Sequence, residues 1–193
     1  MEQELLDSYF HFIREVVATG IIYCLRDTQS EYVAACTSNQ FVTQDDEEQV
    51  GVFAFWSDKE KAQACQKEEW KEYTVSEIPL AEFMEDWCLS MYQDDIVAGI
   101  DFSQDLYGYE ETPMELLKTL IAEVEANEVA LSFNGFTSLD DLKEYIKEIE
   151  AEQTFFFIHF HNNCPLCTPK VPCGQFAILI KHLKNNLLFI IIC

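Results

Sequence analysis

The residues best suited to metal chemistry lie near the end of the chain. His159, His161, Cys164 and Cys167 combine two imidazoles with a Cys-x-x-Cys pair. Imidazole and thiolate are the ligands that tetrahedral Zn²⁺ prefers, so these residues form a candidate zinc site, with Cys173 as a further donor. Structural zinc sites usually join two ligand pairs across a longer loop. The alternative is therefore that the two histidines belong to a strand and bind no metal.

Acidic side chains form a second set of candidate groups. Two carboxylates can act as general acid and base, or hold a divalent cation. In a very acidic chain, however, neighbouring carboxylates are also expected by chance on solvated faces. A small hydrolase or divalent-metal-dependent enzyme is therefore kept as an alternative function. The clusters are Glu82, Glu85 and Asp86; Asp94 and Asp95; and Asp101 and Asp105.

Other catalytic patterns are missing from the sequence. His11 is the only histidine before residue 154, and its place between Phe10 and Phe12 is typical of a structural residue on a helix. The sequence contains neither a Ser-His-Asp order nor a glycine-rich phosphate loop, and it has only 6 glycines. Nucleotide enzymes use such loops to hold phosphates. The sequence thus favours a protein that is not an enzyme.

A charge boundary divides the chain near residue 153. Residues 1–153 carry all 35 acidic residues and nine of the 12 Lys and Arg, a net charge of −26. Residues 154–193 contain no acidic residue and three lysines. Phosphate contacts require clustered Lys and Arg, so direct binding of nucleic acid is disfavoured. A negative surface instead favours a basic protein partner, and it leaves the oligomeric state undetermined.

The compartment is predicted from both ends of the sequence. The first residues, MEQELLDSYF, lack the basic flank and apolar stretch of an export signal. Apolar runs at 176–180 and 187–192 are interrupted by Lys181 and Lys184. They are too short for the roughly 20 apolar residues of a membrane-spanning helix. We therefore expect a cytoplasmic protein with no membrane span and with reduced cysteines.

The first part of the chain predicts a helix followed by strands. Apolar residues recur at helical spacing over 3–19, and Gly20 ends the pattern. Runs at 21–25 and 31–36 flank a polar turn, which predicts a β-hairpin that 41–43 would extend. The residues expected on the buried face of the helix are Leu5, Leu6, Tyr9, Phe10, Ile13, Val16 and Val17.

The next segments predict alternating strands and helices. Val50 to Trp56 is too densely apolar for an edge strand, so we expect it to be central. Ser57 and Glu60 are spaced as a capping box for a helix over 58–67. Tyr73 to Ile78 predicts another strand, and Pro79 suits the first turn of a helix. The apolar face of that helix comprises Leu80, Phe83, Met84, Trp87 and Cys88.

The remaining elements complete the prediction of an α+β domain. A strand is expected at 96–102, and Thr112 and Pro113 mark the start of a helix. A short strand at 129–133 and a charged helix at 138–153 follow. The order of elements predicts an α+β single domain, with a mixed or antiparallel sheet packed by three to five helices.

The predicted organisation has three parts: an acidic α+β domain at 1–127, an additional strand and helix at 128–153, and an apolar, Cys-rich tail at 154–193. The abrupt loss of acidic residues suits a shifted reading frame, a read-through or a gene-end rearrangement. We therefore expect the tail to be dispensable for folding.

Several ordered blocks resemble a known family. The segment VFAFWSDKEKAQA at 52–64 is followed by Glu69-Trp70, by Ile78-Pro79-Leu80 and by Asp95-Ile96-Val97. Taken in order, these blocks resemble bacterial domain-of-unknown-function family 2750 over roughly residues 5–125. The resemblance implies a compact, acidic, cytoplasmic α+β domain. It implies no activity and no catalytic residues.

The three tryptophans lie within this region. Trp56, Trp70 and Trp87 occupy strand and helix positions where large apolar side chains usually pack in a core. The alternative is that some of them anchor a partner, because Trp is enriched at binding hot spots. Trp70 is the first candidate anchor, since it follows two glutamates at the end of a predicted helix.

Overall fold

The computed structural model describes residues 2–30, 32–42, 49–163, 182–183 and 186–187. By internal contacts the chain divides into two units, Met1–Leu139 and Asp140–Cys193. The predicted α+β class is confirmed, because helices pack on a six-stranded mixed sheet that lies wholly in the first unit. The described part of the second unit holds most of one helix and two short strands.

The first unit begins with an amphipathic helix, α1 (Glu2–Thr19). Gly20 follows with a φ of 72°, a conformation that glycine adopts without a steric penalty, and its N–H closes the last turn on the Val16 carbonyl. The buried face differs from the prediction at Phe10 and Phe12, and Leu5 and Leu6 are only half-buried. Phe12 is fully buried whereas Phe10 is 42% exposed.

The sheet has the order β4-β1-β3-β5-β6, with β2 also paired to β3. Only the β3–β5 pair is parallel, with Val52 opposite Val97, so the sheet is mixed. The predicted central strand is thus confirmed as β3, which has neighbours on both sides. The strands are β1 (Ile21–Asp27), β2 (Ala35–Val42), β3 (Gln49–Trp56), β4 (Tyr73–Pro79), β5 (Val97–Ile100) and β6 (Tyr109–Glu111).

The predicted hairpin of the first two strands forms only in part. Arg26 and Val33 make a single antiparallel bridge around the polar turn. Beyond that bridge, β1 pairs along its whole length with β4, and β2 pairs with β3. Residues 41–42 of the predicted run at 41–43 belong to β2, and residue 43 lies outside the described residues. The polar turn was predicted correctly, but the strand partners depend on pairing between residues that are far apart in the chain.

The two faces of β3 carry different cores, because successive side chains of a strand point to opposite faces. Trp56 packs in one cluster with Ala62 of α2 (Lys59–Ala64) and with Trp70 of a 3₁₀ turn, Glu68–Trp70. Phe55 lies on the other face, with its ring centroid 4.8 Å from that of Phe83. Helices therefore cover both faces of the central strand.

The capping box predicted at Ser57 is displaced by one residue. Asp58 is the N-cap of α2, and its carboxylate accepts hydrogen bonds from the backbone N–H groups of Glu60 and Lys61. Pro79 likewise ends β4 rather than opening the next helix. Both differences are single-residue shifts of a correctly predicted helix start.

The helical segment after β4 contains a π-helical turn that the sequence did not predict. It comprises α3 (Leu80–Glu82), the π turn (Phe83–Trp87) and α4 (Cys88–Gln93). π turns occur often at functional sites, and this one widens the helix at a buried carboxylate, Glu85.

The helix that follows the sheet, α5 (Pro113–Ala126), begins where the sequence predicted. The Thr112 hydroxyl accepts a hydrogen bond from the Glu115 N–H. The reciprocal bond of a capping box comes from a different residue, since the Thr112 N–H donates to the Glu111 carboxylate. α5 contacts α1 and α4, so these three helices pack together.

The segment after α5 departs from the prediction. Residues 129–133 form no strand, which corrects the additional strand placed within 128–153. The helix predicted at 138–153 is present but longer, as α6 (Leu139–Asn163), so it continues through the charge boundary. His159 and His161 therefore lie on a helix and not on a strand. The second unit also contains β7 (His182–Leu183) paired with β8 (Asn186–Leu187).

Candidate functional site

A group of three polar side chains lies where the two parallel strands end. Ser57 follows β3, Asp101 follows β5, and Lys61 is in the first turn of α2. The Asp101 carboxylate accepts from the Ser57 N–H at 2.8 Å, from the Ser57 hydroxyl at 2.9 Å and from Lys61 Nζ at 2.6 Å. The carboxyl ends of parallel strands are a common place for ligand sites, so this group is the first candidate for chemistry.

The hydrogen bonds of this group indicate a structural role. A nucleophilic serine needs a neighbouring base that accepts its proton and is itself oriented by a third group. Here Ser57 and Lys61 both donate to Asp101, and the single histidine before residue 154, His11, is exposed on α1. Asp101 has a φ of 48°, a left-handed conformation that Asp tolerates better than most residues. The carboxylate thus ties the start of α2 to the end of β5.

Two further carboxylates are buried, and both are bonded to the fold. Glu85, 4% exposed, accepts from the backbone N–H groups of Asn134 and Gly135 at 2.9 and 2.7 Å. Glu110, 5% exposed, accepts from the Ser38 hydroxyl and from the Asn39 N–H. Buried charges are stable when hydrogen bonds replace their lost hydration. Glu85 therefore holds the loop at 134–135, and Glu110 holds strand β2, to other parts of the first unit.

The other predicted carboxylate clusters do not form a metal site within the described part of the chain. No group of three or more His, Cys, Asp or Glu side chains there is arranged to hold an ion. Asp86 is exposed, yet a partial loss of its hydration, together with the charges of Glu85 and Glu82, raises its pKa. Cys164 and Cys167 lie outside the described residues, and the side chains of His159 and His161 are not described. The zinc site stays a prediction.

The four cysteines of the first unit are poor nucleophiles. Burial raises the pKa of Cys24, Cys65 and Cys88, and it raises that of Cys36 to about 11. Because the thiolate is the reactive form of cysteine, a raised pKa suppresses its chemistry. These residues serve as small core side chains.

Two of the predicted partner-binding tryptophans lie in the core. Trp56 is fully buried and donates from its indole Nε1 to the Phe102 carbonyl at 2.9 Å. Trp70 is 5% exposed, and its ring meets that of Trp56 edge to face, with centroids 6.3 Å apart. Neither ring is presented to a partner in this structure. The 3₁₀ turn directs the Trp70 side chain inward, and the partner-binding role of Trp56 and Trp70 stays a prediction.

Phe102 occupies a pocket made by two glycines. A Cβ atom at Gly99 would lie 2.5 Å from Cζ of Phe102, and one at Gly108 would lie 2.3 Å from its Cδ1. A separation this short forces the ring or the backbone to move. Glycine at both positions therefore allows Phe102 to present its carbonyl to Trp56.

The third tryptophan, Trp87, is only partly buried. Its ring lies under the Arg26 guanidinium, with 5.2 Å from Cζ to the centroid, and its indole Nε1 donates to the Glu82 carboxylate at 3.3 Å. Arg26 Nε is buried without a hydrogen-bond partner in the described part of the chain. Trp87 is therefore the one predicted anchor whose ring remains accessible, and its partner-binding role stays a prediction.

None of the helices in the described part of the chain combines the length and apolar composition that a bilayer crossing requires.

Comparison with known proteins supports one assignment. No curated protein and no solved structure matches the chain. Residues 9–120 match the family described as "Protein of unknown function (DUF2750)". The matched region contains the whole six-stranded sheet and most of the helices that pack on it. The chain belongs to the DUF2750 family.

Proposed function

We propose that the protein is a non-enzymatic interaction module of the bacterial cytoplasm that binds a basic protein through its acidic surface. The observation that supports this proposal most directly is the use of the buried carboxylates. Asp101, Glu85 and Glu110 each accept hydrogen bonds from the fold, so none is left poised for acid–base work. A carboxylate that acts as a general acid or base, by contrast, must lie within hydrogen-bond reach of the substrate proton that it transfers.

The charge of the chain supplies the second support. Residues 1–153 carry a net charge of −26, and exposed acids occur on most elements of the first unit. A potential of this size attracts a positively charged protein and speeds its encounter. It also opposes binding of nucleic acids and other polyanions.

A salt-dependent pull-down tests the proposal. The full chain is immobilised and exposed to native lysate, with an unrelated acidic protein of similar net charge as the control for simple ion exchange. We expect basic proteins that bind this chain and not the control, and that dissociate as the ionic strength rises, since exposed charges are screened beyond about 10 Å at 0.1 M salt.

Two results would contradict the proposal. One is the recovery of the same proteins by the control resin. The other is a rise of the melting temperature with Mg²⁺, Mn²⁺ or Zn²⁺, together with hydrolase activity. That result would support the alternative of a small, divalent-metal-dependent enzyme that uses acidic residues.

A further inference from the structure

The outer edge of β4 is free of strand partners within the described part of the chain. β4 is the terminal strand of the sheet and pairs only with β1, in antiparallel register from Tyr73 opposite Asp27 to Pro79 opposite Ile21. An edge strand presents unpaired N–H and C=O groups and is a template for pairing with another chain. The register of β4 with β1 therefore identifies which backbone N–H and C=O groups of β4 face away from the sheet.

The hydrogen bonds of β1 identify the outward-facing residues of β4. Leu25, which lies opposite Val75, uses its carbonyl to accept from the Ala34 N–H on the other side of β1. In an antiparallel pair, residues opposite one another either exchange both hydrogen bonds or direct both backbone groups away. Val75 and, two residues on, Glu77 therefore direct their N–H and C=O groups away from β1.

The ends of this edge are closed by other means. The outward carbonyl of Tyr73 accepts from Gln66 Nε2 at 2.6 Å. Pro79, at the other end, has no N–H to leave unpaired. The open stretch is thus short and well defined, with Val75 and Glu77 at the alternate spacing that an added strand would match.

We propose that the β4 edge, residues 73–79, is the docking site for an extended basic segment of another protein, which adds to the sheet as a seventh strand. This inference rests on the proposed function and names its site. Main-chain hydrogen bonds to Val75 and Glu77 would supply affinity, as in other cases of strand addition. The side chain of Glu77 is exposed on the strand, and Glu72 is exposed directly before it.

Charge distinguishes a basic segment from a second copy of this chain. Exposed charges on an edge strand oppose pairing with like-charged strands. If two copies of this chain paired through their β4 edges, the first unit of each copy would bring most of the 35 acidic residues of that copy close to those of the other. A Lys or Arg opposite Glu77 meets that carboxylate with opposite charge, and a second basic residue at the end of the segment beside Tyr73 lies next to Glu72.

The test begins with peptides selected from a random linear library on the immobilised full chain. We expect binders rich in Lys and Arg with β-branched residues between them. Each binder is then resynthesised with N-methyl groups on alternate residues, which remove the N–H groups of one edge. Methylation on the docking edge should weaken binding by about tenfold or more, whereas methylation on the opposite edge should not.

Variants of the protein supply the complementary arm. Val75→Pro removes an outward N–H that makes no bond to β1, so the sheet should persist while peptide binding falls by about tenfold or more. Glu77→Lys reverses the charge on the edge and should also weaken binding. Asp94→Lys is the control, because it makes the same charge change at the other end of the helical segment that starts at Leu80, about 20 Å along the helix axis. It should have little effect on peptide binding.

Three results would overturn the proposal, whereas unfolding of a single variant would not. If Val75→Pro unfolds, as circular dichroism would show, Glu77→Lys and the two N-methylated peptide series still decide it. Basic peptides that bind every edge variant equally would exclude the edge but leave an acidic binding surface elsewhere. Failure to select any basic peptide would count against both proposals. A concentration-dependent dimer that Val75→Pro abolishes would assign the edge to a second copy.

Discussion

Lys61 Nζ lies 2.6 Å from Oδ2 of Asp101, so an ion pair joins the first turn of α2 to the end of β5. The two partners differ in exposure, with 41% for the Lys61 side chain and 1% for that of Asp101. We therefore expect the hydrogen bonds between the buried Asp101 carboxylate and Ser57 to contribute more to the free energy of unfolding than the ion pair with Lys61 does.

We predict that Asp101→Asn lowers the free energy of unfolding by about 2–3 kcal/mol, because a buried charged acceptor is replaced by a neutral one that also brings donors. Asn tolerates the left-handed backbone, so strain does not confuse the result. Lys61→Met should cost about 1 kcal/mol or less, since that side chain is partly exposed. Urea unfolding measures both, and equal losses for the two variants would contradict this account.

The bond from Glu85 to the loop at 134–135 gives a second prediction. Glu85→Gln places a side-chain NH₂ where two backbone N–H groups now donate, and should cost about 2–4 kcal/mol. Hydrogen exchange at Asn134 and Gly135 should quicken more than exchange in the sheet.

Asp86→Asn is the matched control for Glu85→Gln. Partial loss of hydration and the charges of Glu85 and Glu82 raise the pKa of Asp86, so its ionised form is less favoured in the folded chain than in the unfolded chain. Removing that charge should leave stability unchanged or raise it. A loss similar to that of Glu85→Gln would mean that general damage to the π turn, and not the loss of the carboxylate bonds, explains both variants.

Alanine variants of Trp70 and Trp87 should differ in their loss of stability, because the first ring is buried and the second is partly exposed. Trp70→Ala should cost about 3–5 kcal/mol, because it removes a buried ring that meets Trp56. Trp87→Ala should cost less, since its ring is partly exposed beside Arg26. Thermal unfolding checks the order. If Trp70→Ala folds normally and loses only partner binding, the assignment of Trp70 to the core is wrong.

Tyr9 predicts how stability changes at high pH. Burial raises its pKa from 10.0 to about 12, and neighbouring Thr119 opposes that shift. Between these two values the folded chain keeps a proton that the unfolded chain releases, so the contribution of Tyr9 to stability is lost as the pH rises through that window. Tyr9→Phe should therefore move the midpoint of alkaline unfolding to higher pH.

The titration of Tyr9 can be checked independently of unfolding. The difference in tyrosinate absorbance between the wild type and Tyr9→Phe should report one group that titrates above the ordinary range. Cys36, with a pKa raised to about 11, titrates in the same window and is removed in a Cys36→Ser background. An unchanged alkaline midpoint in that background would contradict the role given to Tyr9.

The sequence by itself determined the class of the fold and most element types. Apolar periodicity predicted α1, dense apolar character predicted β3 as central, and Thr112 with Pro113 predicted the start of α5. These features depend on residues close together in the chain, so local propensity and capping chemistry are enough to reveal them.

Tertiary structure alone decided the partners of those elements and the roles of the polar groups. β6 and the π turn carry no local pattern, and residues 129–133 are apolar enough for a strand yet meet no partner strand in the described part of the chain. Asp101, Glu85 and Glu110 look like any other acids in a chain with 35 of them. Each is bonded by groups 40 to 72 residues away, and contacts at that separation depend on how the whole chain folds.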